Sequence, residues 1–526
     1  MGTYVNPSSD SLQMDMNGDF YVDKSLIFTV LNKKFKSPDR FMCVSRPRRF
    51  GKTMVGNLIS AFYSRGCDSR PIFENLKIAG KQNWDERLNK MNVIQFDINA
   101  FYGRFKKKGD VIANMTSVIV REMIKEFPDV HIEPDEELSQ AIIDVYGETN
   151  VPFVLIIDEY DVMVRERVSA SEFSDYLTFL NNLFKSPDCG RAIGLAYITG
   201  IIPIVRDRIQ SKLNNFKEYT MLMPRDLAPY IGFTLEEVEE LCKRFGMDYK
   251  ECLRWYDGYH LTDLVSVCNS NSVCEAISNN LFDDYWTQTG AYTALNDYID
   301  GNYEGIREDI VTMVGGGEVD VDAGTFINTL DAIESKDDVF TYLIHLGYLA
   351  YNREEKTCSI PNGEIRLEWE RALKRTVNYR PIVKMIENSK HLLAATLEGD
   401  ADAVAETLDK AHRDVTSPLT YNNEGSMQSA IGLAYFYART QYTVVKEFHS
   451  GKGYADMAFL PYVPNRIPMV VEFKIDQNPE RGLKQIAENC YTDAFADLHG
   501  TVVLVAISYN KKDKSHSCKI ERVEVD

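Results

Sequence analysis

Apolar residues in the first 200 positions fall into short unbroken runs, separated by stretches with helical spacing. Phe41-Met42-Cys43-Val44 predicts a buried strand, and Met54 to Tyr63 predicts a helix with an apolar face. Asn92 to Asp97, Pro152 to Ile157 and Gly194 to Gly200 predict three more strands, with helices over Asp110–Phe127 and Ser171–Phe184. Runs that stay apolar at successive positions suit a parallel sheet covered on both faces. Strands alternating with helices predict an α/β domain.

From about residue 225 the pattern turns mainly helical. Thr234 with Glu237 three residues on is a capping-box start for a helix to Phe245. Around 338–370 the order is helix (Val339 to Leu346), two short strands split by Arg353-Glu354-Glu355-Lys356, and a helix after Pro361-Asn362. That order fits a winged helix or, equally, a hairpin packed on helices. Residues 380–418 and Glu424 to Tyr437 read as helix. Strands are expected at 442–448, 454–460, 467–473 and 501–508, with a helix at 480–491. The expected division is 1–225, 226–400 and 401–526, and no internal repeat is found.

Two strand ends carry chemistry. Arg46-Pro47-Arg48-Arg49-Phe50-Gly51-Lys52-Thr53 follows a strand and opens a helix, the setting of a phosphate-binding P-loop. Backbone N–H groups would wrap the phosphates, Lys52 would reach the terminal oxygens and Thr53 would hold magnesium, although Arg46 replaces the usual first glycine. Val154-Leu155-Ile156-Ile157-Asp158-Glu159 is an apolar strand ending in two acids. About 100 residues after a P-loop, Asp158 is expected to hold Mg²⁺ and Glu159 to orient or deprotonate the attacking water. Thr199, ending the next strand, is either a γ-phosphate sensor or a hydroxyl making local bonds. Arg206, Arg208 and Arg225 are the arginine-finger candidates.

Near the other end, Gly451-Lys452-Gly453-Tyr454-Ala455-Asp456 precedes Val470-Val471-Glu472-Phe473-Lys474. An Asp on one strand and Glu-x-Lys on the next is a metal-dependent phosphodiesterase pattern. Alternation along a strand puts Glu472 and Lys474 on one face. Asp456 and Glu472 are expected to bind Mg²⁺, which keeps several waters and so needs few protein ligands. Lys474 would face the scissile phosphate or water. Glu424 on the preceding helix is a further ligand candidate, and Gln485 on the following helix would orient water or backbone. Glu447 is an extra ligand or a surface acid. The bland alternative, a solvated salt bridge, sits poorly beside Val470, Val471 and Phe473.

Composition bounds these readings. The chain has 526 residues, 44% apolar and 26% charged, which suits two to four globular domains. No run of 18 apolar residues and no basic-then-apolar leader occurs, and Asn6 stands where myristoylation wants Ser or Thr; no membrane association is expected. Ten cysteines without a C-x-x-C pair suggest reduced thiols and a cytoplasmic setting. Formal charge is −19 overall, yet residues 421–526 hold 12 Lys and Arg against 13 Asp and Glu, so a local nucleic-acid groove remains compatible.

These segments resemble AAA-ATPase-like bacterial proteins with a C-terminal PD-(D/E)XK nuclease-superfamily domain. Tyr21 to Ser25, Arg46 to Thr53, Asp158-Glu159-Tyr160-Asp161, Thr199-Gly200, Leu213-Asn214-Asn215, Gly232-Phe233-Thr234 and Tyr256-Asp257-Gly258-Tyr259 carry the likeness early in the chain. Gly347-Tyr348-Leu349, Pro361 to Glu364, Glu424, Gly451 to Asp456, Glu472-Phe473-Lys474 and Gln485 to Tyr491 carry it later. In that family arginine is usual at the position of Arg46. The resemblance implies an N-terminal P-loop NTPase domain, a helical or winged-helix middle and a restriction-endonuclease-like α/β domain at the end. It implies ATP and Mg²⁺ as cofactors and nucleic acid, with DNA foremost, as partner, and it leaves room for oligomers. Two departures stand out. Tyr454 occupies a position where the family often has arginine, which bears on phosphate contacts, and Cys268 to Ser272 replaces a Tyr-Asn-Pro stretch. The expectation is an ATPase coupled to a Mg²⁺-dependent nuclease-like domain; the alternative is an ATP-driven switch whose second domain binds nucleic acid or a partner without cutting.

Overall fold

The computed structural model describes residues 2–204, 214–263, 265–286, 295, 303, 305–314, 316–324, 333–375, 380–414, 427, 431–432, 434–450, 453–462, 466–489 and 500–525. The chain forms two compact units. One comprises Met1–Ala291 with Asp320–Ile365, the other Tyr292–Val319 with Arg366–Asp526.

The first unit is built on a five-stranded sheet of β1 (Phe41–Ser45), β2 (Asn92–Asp97), β3 (Phe153–Asp158), β4 (Ile193–Gly200) and β5 (Lys217–Tyr219). Their order is β2-β3-β4-β1-β5 and every pairing is parallel. β1 and β4 are buried at every position, which explains their unbroken apolar runs. Register sets Ser45 beside Gly200, Val44 beside Thr199 and Asp97 beside Asp158, so four strands finish along one edge. Open parallel sheets bind ligands at such an edge. Helices α1 (Asp10–Met16) and α2 (Phe28–Lys34) precede β1, and α3 (Lys52–Tyr63) follows it. α3 buries Val55, Leu58, Ile59 and Phe62 and packs on β3. Its helical phase is why sequence spacing revealed it.

A small antiparallel sheet, β6 (Phe233–Thr234), β7 (Tyr259–Thr262) and β8 (Val265–Cys268), escapes a hydrophobic reading because its strands have two to four residues. The predicted capping box forms: Thr234 accepts from the Glu237 N–H, and the Glu237 carboxylate accepts from the Thr234 N–H at 2.8 Å. After β9 (Val319–Asp320) comes the helix Lys336–Leu346, the hairpin of β10 (Ala350–Asn352) and β11 (Thr357–Ser359), and the helix Gly363–Arg375. The helix–hairpin–helix order matches expectation. Gly347 ends the first of those helices at φ +88°, and a side chain there would lie 2.8 Å from Pro47 of the phosphate loop. Tyr259 secures this turn by donating to the Gly347 carbonyl at 2.7 Å.

In the second unit, the expected 380–418 helix is two, Arg380–Glu398 and Ala401–Asp414, parted at Gly399 with φ +86°. Glu424 lies outside the described residues, and Phe436–Thr440 is a 3₁₀ turn, so Tyr437 does not end a long α-helix. The C-terminal sheet runs β12 (Tyr442–Ser450), β13 (Gly453–Pro461), β14 (Met469–Ile475), β15 (Gly500–Asn510) and β16 (Ser515–Val525) in sequential order. β14 and β15 are parallel and the other pairs antiparallel. β16 is an edge strand, exposed or half-buried at nearly every position, and its short alternations, Cys518-Lys519-Ile520 and Val523-Glu524-Val525, did not read as a strand.

Glu364 offers a check on the first unit. It is 1% exposed, its Oε1 accepts from the Tyr285 N–H at 2.9 Å, and Oε2 has no hydrogen-bond partner. Burial pushes its pKa up from 4.5 to about 8. A carboxyl held protonated by the fold contributes stability that is complete below the unfolded value and is lost as pH rises through the folded one. Between pH 5 and 9 the wild-type melting midpoint should therefore fall by several degrees relative to Glu364→Gln, measured by calorimetry.

Candidate functional site

Two clusters of chemistry-bearing side chains form, one in each unit. In the first, the chain leaves β1 at Ser45 and enters α3 through Arg49 (φ +64°) and Gly51 (φ +84°). Those left-handed positions curl the loop back so that Lys52 Nζ donates to the carbonyls of Arg46 at 3.0 Å and Pro47 at 2.9 Å. Lys52 is buried, which lowers its pKa, while the charges of Asp158, Glu159 and Asp161 act against that fall. Arg46 is fully buried. Its Nη1 donates to the Ser45 carbonyl at 2.9 Å and the Tyr219 carbonyl at 3.1 Å, and desolvation lowers its pKa to about 10. Arg46 therefore ties the loop to β5, a structural task that a glycine could not do. Phe50 and Arg49 are fixed through their carbonyls, which accept from the N–H groups of Gly232 at 2.9 Å and Asn271 at 3.4 Å.

At the end of β3, Asp158 collects its neighbours. Thr53 Oγ1 donates to Oδ2 at 2.5 Å, while Thr199 Oγ1 and the Glu159 N–H, at 3.0 Å, donate to Oδ1. Loop, Walker-type strand and β4 thus meet on one carboxylate. Glu159, with φ +54°, turns its side chain to Arg165, which bonds Glu159 Oε2 and lies 3.2 Å from Asp161 Oδ2. Asp161 Oδ2 in turn accepts from the N–H groups of Ile201 and Ile202, each at 2.9 Å. Burial opposes the Arg165 charge, but Asp161 and Glu159 raise its pKa overall.

Arg48, Arg49, Phe50, Gly51, Lys52, Thr53 and Glu159 line a cavity of about 540 Å³. Apolar and aromatic side chains also line it: Phe20, Tyr21 and Val22, Met54 and Leu58 of α3, and Tyr230 and Phe233. Lys24 anchors this lining by donating to the Pro229 carbonyl at 2.8 Å and to Glu237. Basic and hydroxyl groups together with aromatic and apolar surface fit a nucleotide. Arg206, Arg208 and Leu213 lie outside the described residues, and Arg225 bonds the Glu218 carbonyl at 3.0 Å without lining this cavity. Asp161 entered the sequence reading only as the end of the matched segment Asp158 to Asp161 and Arg165 not at all, so neither received a role; the aromatic wall was visible only through the matched segments Tyr21 to Ser25 and Gly232 to Thr234.

In the second unit, β13 and β14 pair from Phe459↔Met469 to Met457↔Val471 and then part. Where the ladder stops, the Asp456 carboxylate substitutes for a strand partner: Oδ2 accepts from the Phe473 N–H at 2.6 Å. On the other flank, pairs Lys446↔Met457 and Phe448↔Ala455 bracket Glu447, which has φ +49° and is exposed. Met457 packs in the core that holds Val471 and Phe473, whereas Ala455 packs with Val470, Leu483 and Ile486. The inward-facing set therefore switches across Asp456, and Glu447 is turned out of that switch.

Glu472 is 2% exposed and Lys474 6%. Lys474 Nζ donates to Glu472 Oε1 at 2.9 Å and to the Phe473 carbonyl at 2.8 Å. Burial raises the Glu472 pKa to about 7, with the Asp456 charge adding and Lys474 opposing. Glu472 Oε2 is buried without a hydrogen-bond partner. The helix Glu480–Glu488 covers this face, with Gly482 against Glu472 and Ala506 so closely that an added Cβ would lie 2.9 Å from the Ala506 Cβ. Gln485, three residues on, is half-buried on the same helix. Asp456, Glu472 and Lys474 thus come together, Gln485 is on the covering helix, and Glu424, Gly451 and Lys452 lie outside the described residues. Among the described residues no three His, Cys, Asp or Glu side chains converge as a metal cluster.

Residues 9–210 match the family model described as predicted AAA-ATPase, and residues 422–518 that of the PD-(D/E)XK nuclease superfamily. No curated protein matches the chain. Among solved structures, the Aeropyrum pernix ORC2 protein in ADPNP–ADP complexes aligns at 11% identity over 69% of this chain and 98% of its own, with a TM-score of 0.34. The Aeropyrum pernix ORC1 protein in complex with DNA aligns at 13% identity over 73% and 99%, with a TM-score of 0.26. The fold follows from sheet order and the two matched segments rather than from these distant overlays. No helix among the described residues is long and apolar enough to cross a membrane. This chain joins an AAA-ATPase-type domain to a PD-(D/E)XK nuclease-superfamily domain.

Proposed function

We propose that the protein binds and hydrolyses ATP in the cavity at Arg46 to Thr53, and that this activity is coupled to Mg²⁺-dependent action on nucleic acid, DNA foremost, at Asp456, Glu472 and Lys474. The observation that carries the first half is that Lys52, Thr53 and Glu159 line one cavity while Asp158, next to Glu159, accepts from both Thr53 and Thr199. Lys52, released from two carbonyls, would bind terminal phosphate oxygens. Asp158 and Thr53 would hold Mg²⁺, Thr199 would bond the γ-phosphate, and Glu159 would take the proton of the attacking water. The aromatic wall from Phe20 to Val22 would receive the base.

For the second half, the partnerless Glu472 Oε2 next to Asp456 fits a cation, since a buried anion needs a counter-charge. Asp456 and Glu472 would hold Mg²⁺, which when bound neutralises phosphate charge and activates water. Lys474 would stabilise charge building on the scissile phosphate, and Gln485 would orient water. Tyr454, 62% exposed where an arginine would reach phosphate, favours the second reading, nucleic-acid or partner binding without cutting.

Lys52→Ala should lose both nucleotide affinity and turnover, whereas Glu159→Gln should keep affinity and lose turnover by about 10²-fold or more, read by steady-state phosphate release and fluorescent-nucleotide titration. Asp456→Ala and Lys474→Ala should each abolish cleavage on a panel of DNA and RNA substrates with Mg²⁺ or Mn²⁺. Cleavage that survives both removes this site assignment, and wild-type binding without cleavage establishes the switch.

The raised pKa of Glu472 gives a metal test. The stability contributed by its proton is complete below the unfolded value near 4.5 and is lost as pH rises through about 7. Mg²⁺ competes with that proton, so its stabilisation should be larger at pH 8 than at pH 6 and should vanish in Glu472→Gln, measured as a melting shift.

A further inference from the structure

Arg165 ends a short helical turn, Val162–Arg165, and takes no direct part in lining the nucleotide cavity. Its side chain is 14% exposed and stands between two carboxylates, bonding Glu159 through Nη2 and lying 3.2 Å from Asp161 Oδ2 through Nε. Asp161 is a fixed anchor, 1% exposed, with Oδ2 saturated by the Ile201 and Ile202 N–H groups. Its Oδ1 is buried and has no hydrogen-bond partner. The guanidinium therefore has an unused acceptor within the same cluster, and a bidentate pair with Asp161 is open to it if Glu159 departs.

Of the two acids at the end of β3, Asp158 is held by Thr53, whereas Glu159 lines the cavity. Its backbone is pinned by the bond from its N–H to Asp158, and its side chain is pinned by Arg165. A general base needs a lone pair directed at the reacting water. An arginine on the carboxylate occupies a lone pair and fixes which way it points.

We propose that Arg165 is a positioning residue that draws the Glu159 carboxylate back and restrains ATP hydrolysis, and that its transfer to Asp161 frees Glu159. This rests on the ATPase reading above. A static ion pair that only braces the turn is the competing account, and it would leave turnover untouched.

The test is steady-state ATP turnover by the full chain for wild type, Arg165→Gln, Arg165→Lys, Glu159→Gln and the Glu159→Gln/Arg165→Gln double variant. Arg165→Lys keeps a charge beside Asp161 but cannot span both acids, so it guards against a variant that fails to fold. Both Arg165 variants should raise kcat about three- to tenfold, with KM little changed and the double variant as flat as Glu159→Gln. Unchanged or reduced kcat in both, with wild-type melting and intact binding of a fluorescent ATP analogue, overturns the restraint alone if wild type turns over. Flat turnover in every protein, with nucleotide bound, overturns the restraint and the ATPase reading together.

Discussion

A parallel sheet leaves polar groups at the ends of its strands, and in the first unit they converge on Asp158. Its carboxylate is the common acceptor for Thr53 from α3, Thr199 from β4 and the N–H of its own successor, Glu159. Each donor lies on a different element, so the bonds fix the relative heights of the phosphate loop, β3 and β4. The same carboxylate also helps balance the buried charge of Lys52. Without it, a desolvated ammonium and two hydroxyls would face one another across the sheet edge with no anion between them.

The C-terminal site uses a related device in different surroundings. There the sheet opens instead of ending: β13 and β14 separate at Asp456, and a side chain takes the backbone donor that the missing strand pair would have used. Divergence brings a partly solvated acid beside a buried one. The buried member, Glu472, is held against its own desolvation by Lys474 two residues on, the pair sharing one strand face under a glycine of the covering helix. Gly482 matters here because a Cβ would close the space over Glu472 and Ala506.

Much of this was legible in sequence because the relevant signals are local. Strands β1 to β4 and β12 to β15 announce themselves in the sequence, whereas β5, Lys217–Tyr219, carries no apolar run, and Gly51-Lys52-Thr53, Asp158-Glu159 and Glu472-x-Lys474 each occupy a few adjacent positions. Arg46 was conspicuous as a missing glycine, and the structure shows it bonding the carbonyl of Tyr219 in β5, which no spacing rule connects to it. Illegible features are those set by long-range contact or by backbone dihedrals. The inserted strands β6 to β8 are too short for periodicity, and the apolar residues of β16 are only partly buried at the sheet edge. The role of Asp161 depends on N–H groups 40 and 41 residues away, and Glu447 is turned outward by a positive φ that its residue type does not foretell.

Sheet order also has a consequence for how the protein is made. β1, which launches the phosphate loop, sits between β4 and β5, both synthesised after residue 190. On a ribosome β1 emerges with neither neighbour available, so for some 150 residues of elongation it is an apolar strand with two open edges. Docking of β4 and β5 closes both, and only then can Arg46 reach the Tyr219 carbonyl and draw the loop into place. The bonds that hold this loop are thus completed only after β5 exists, although the loop's sequence is among the first to be translated.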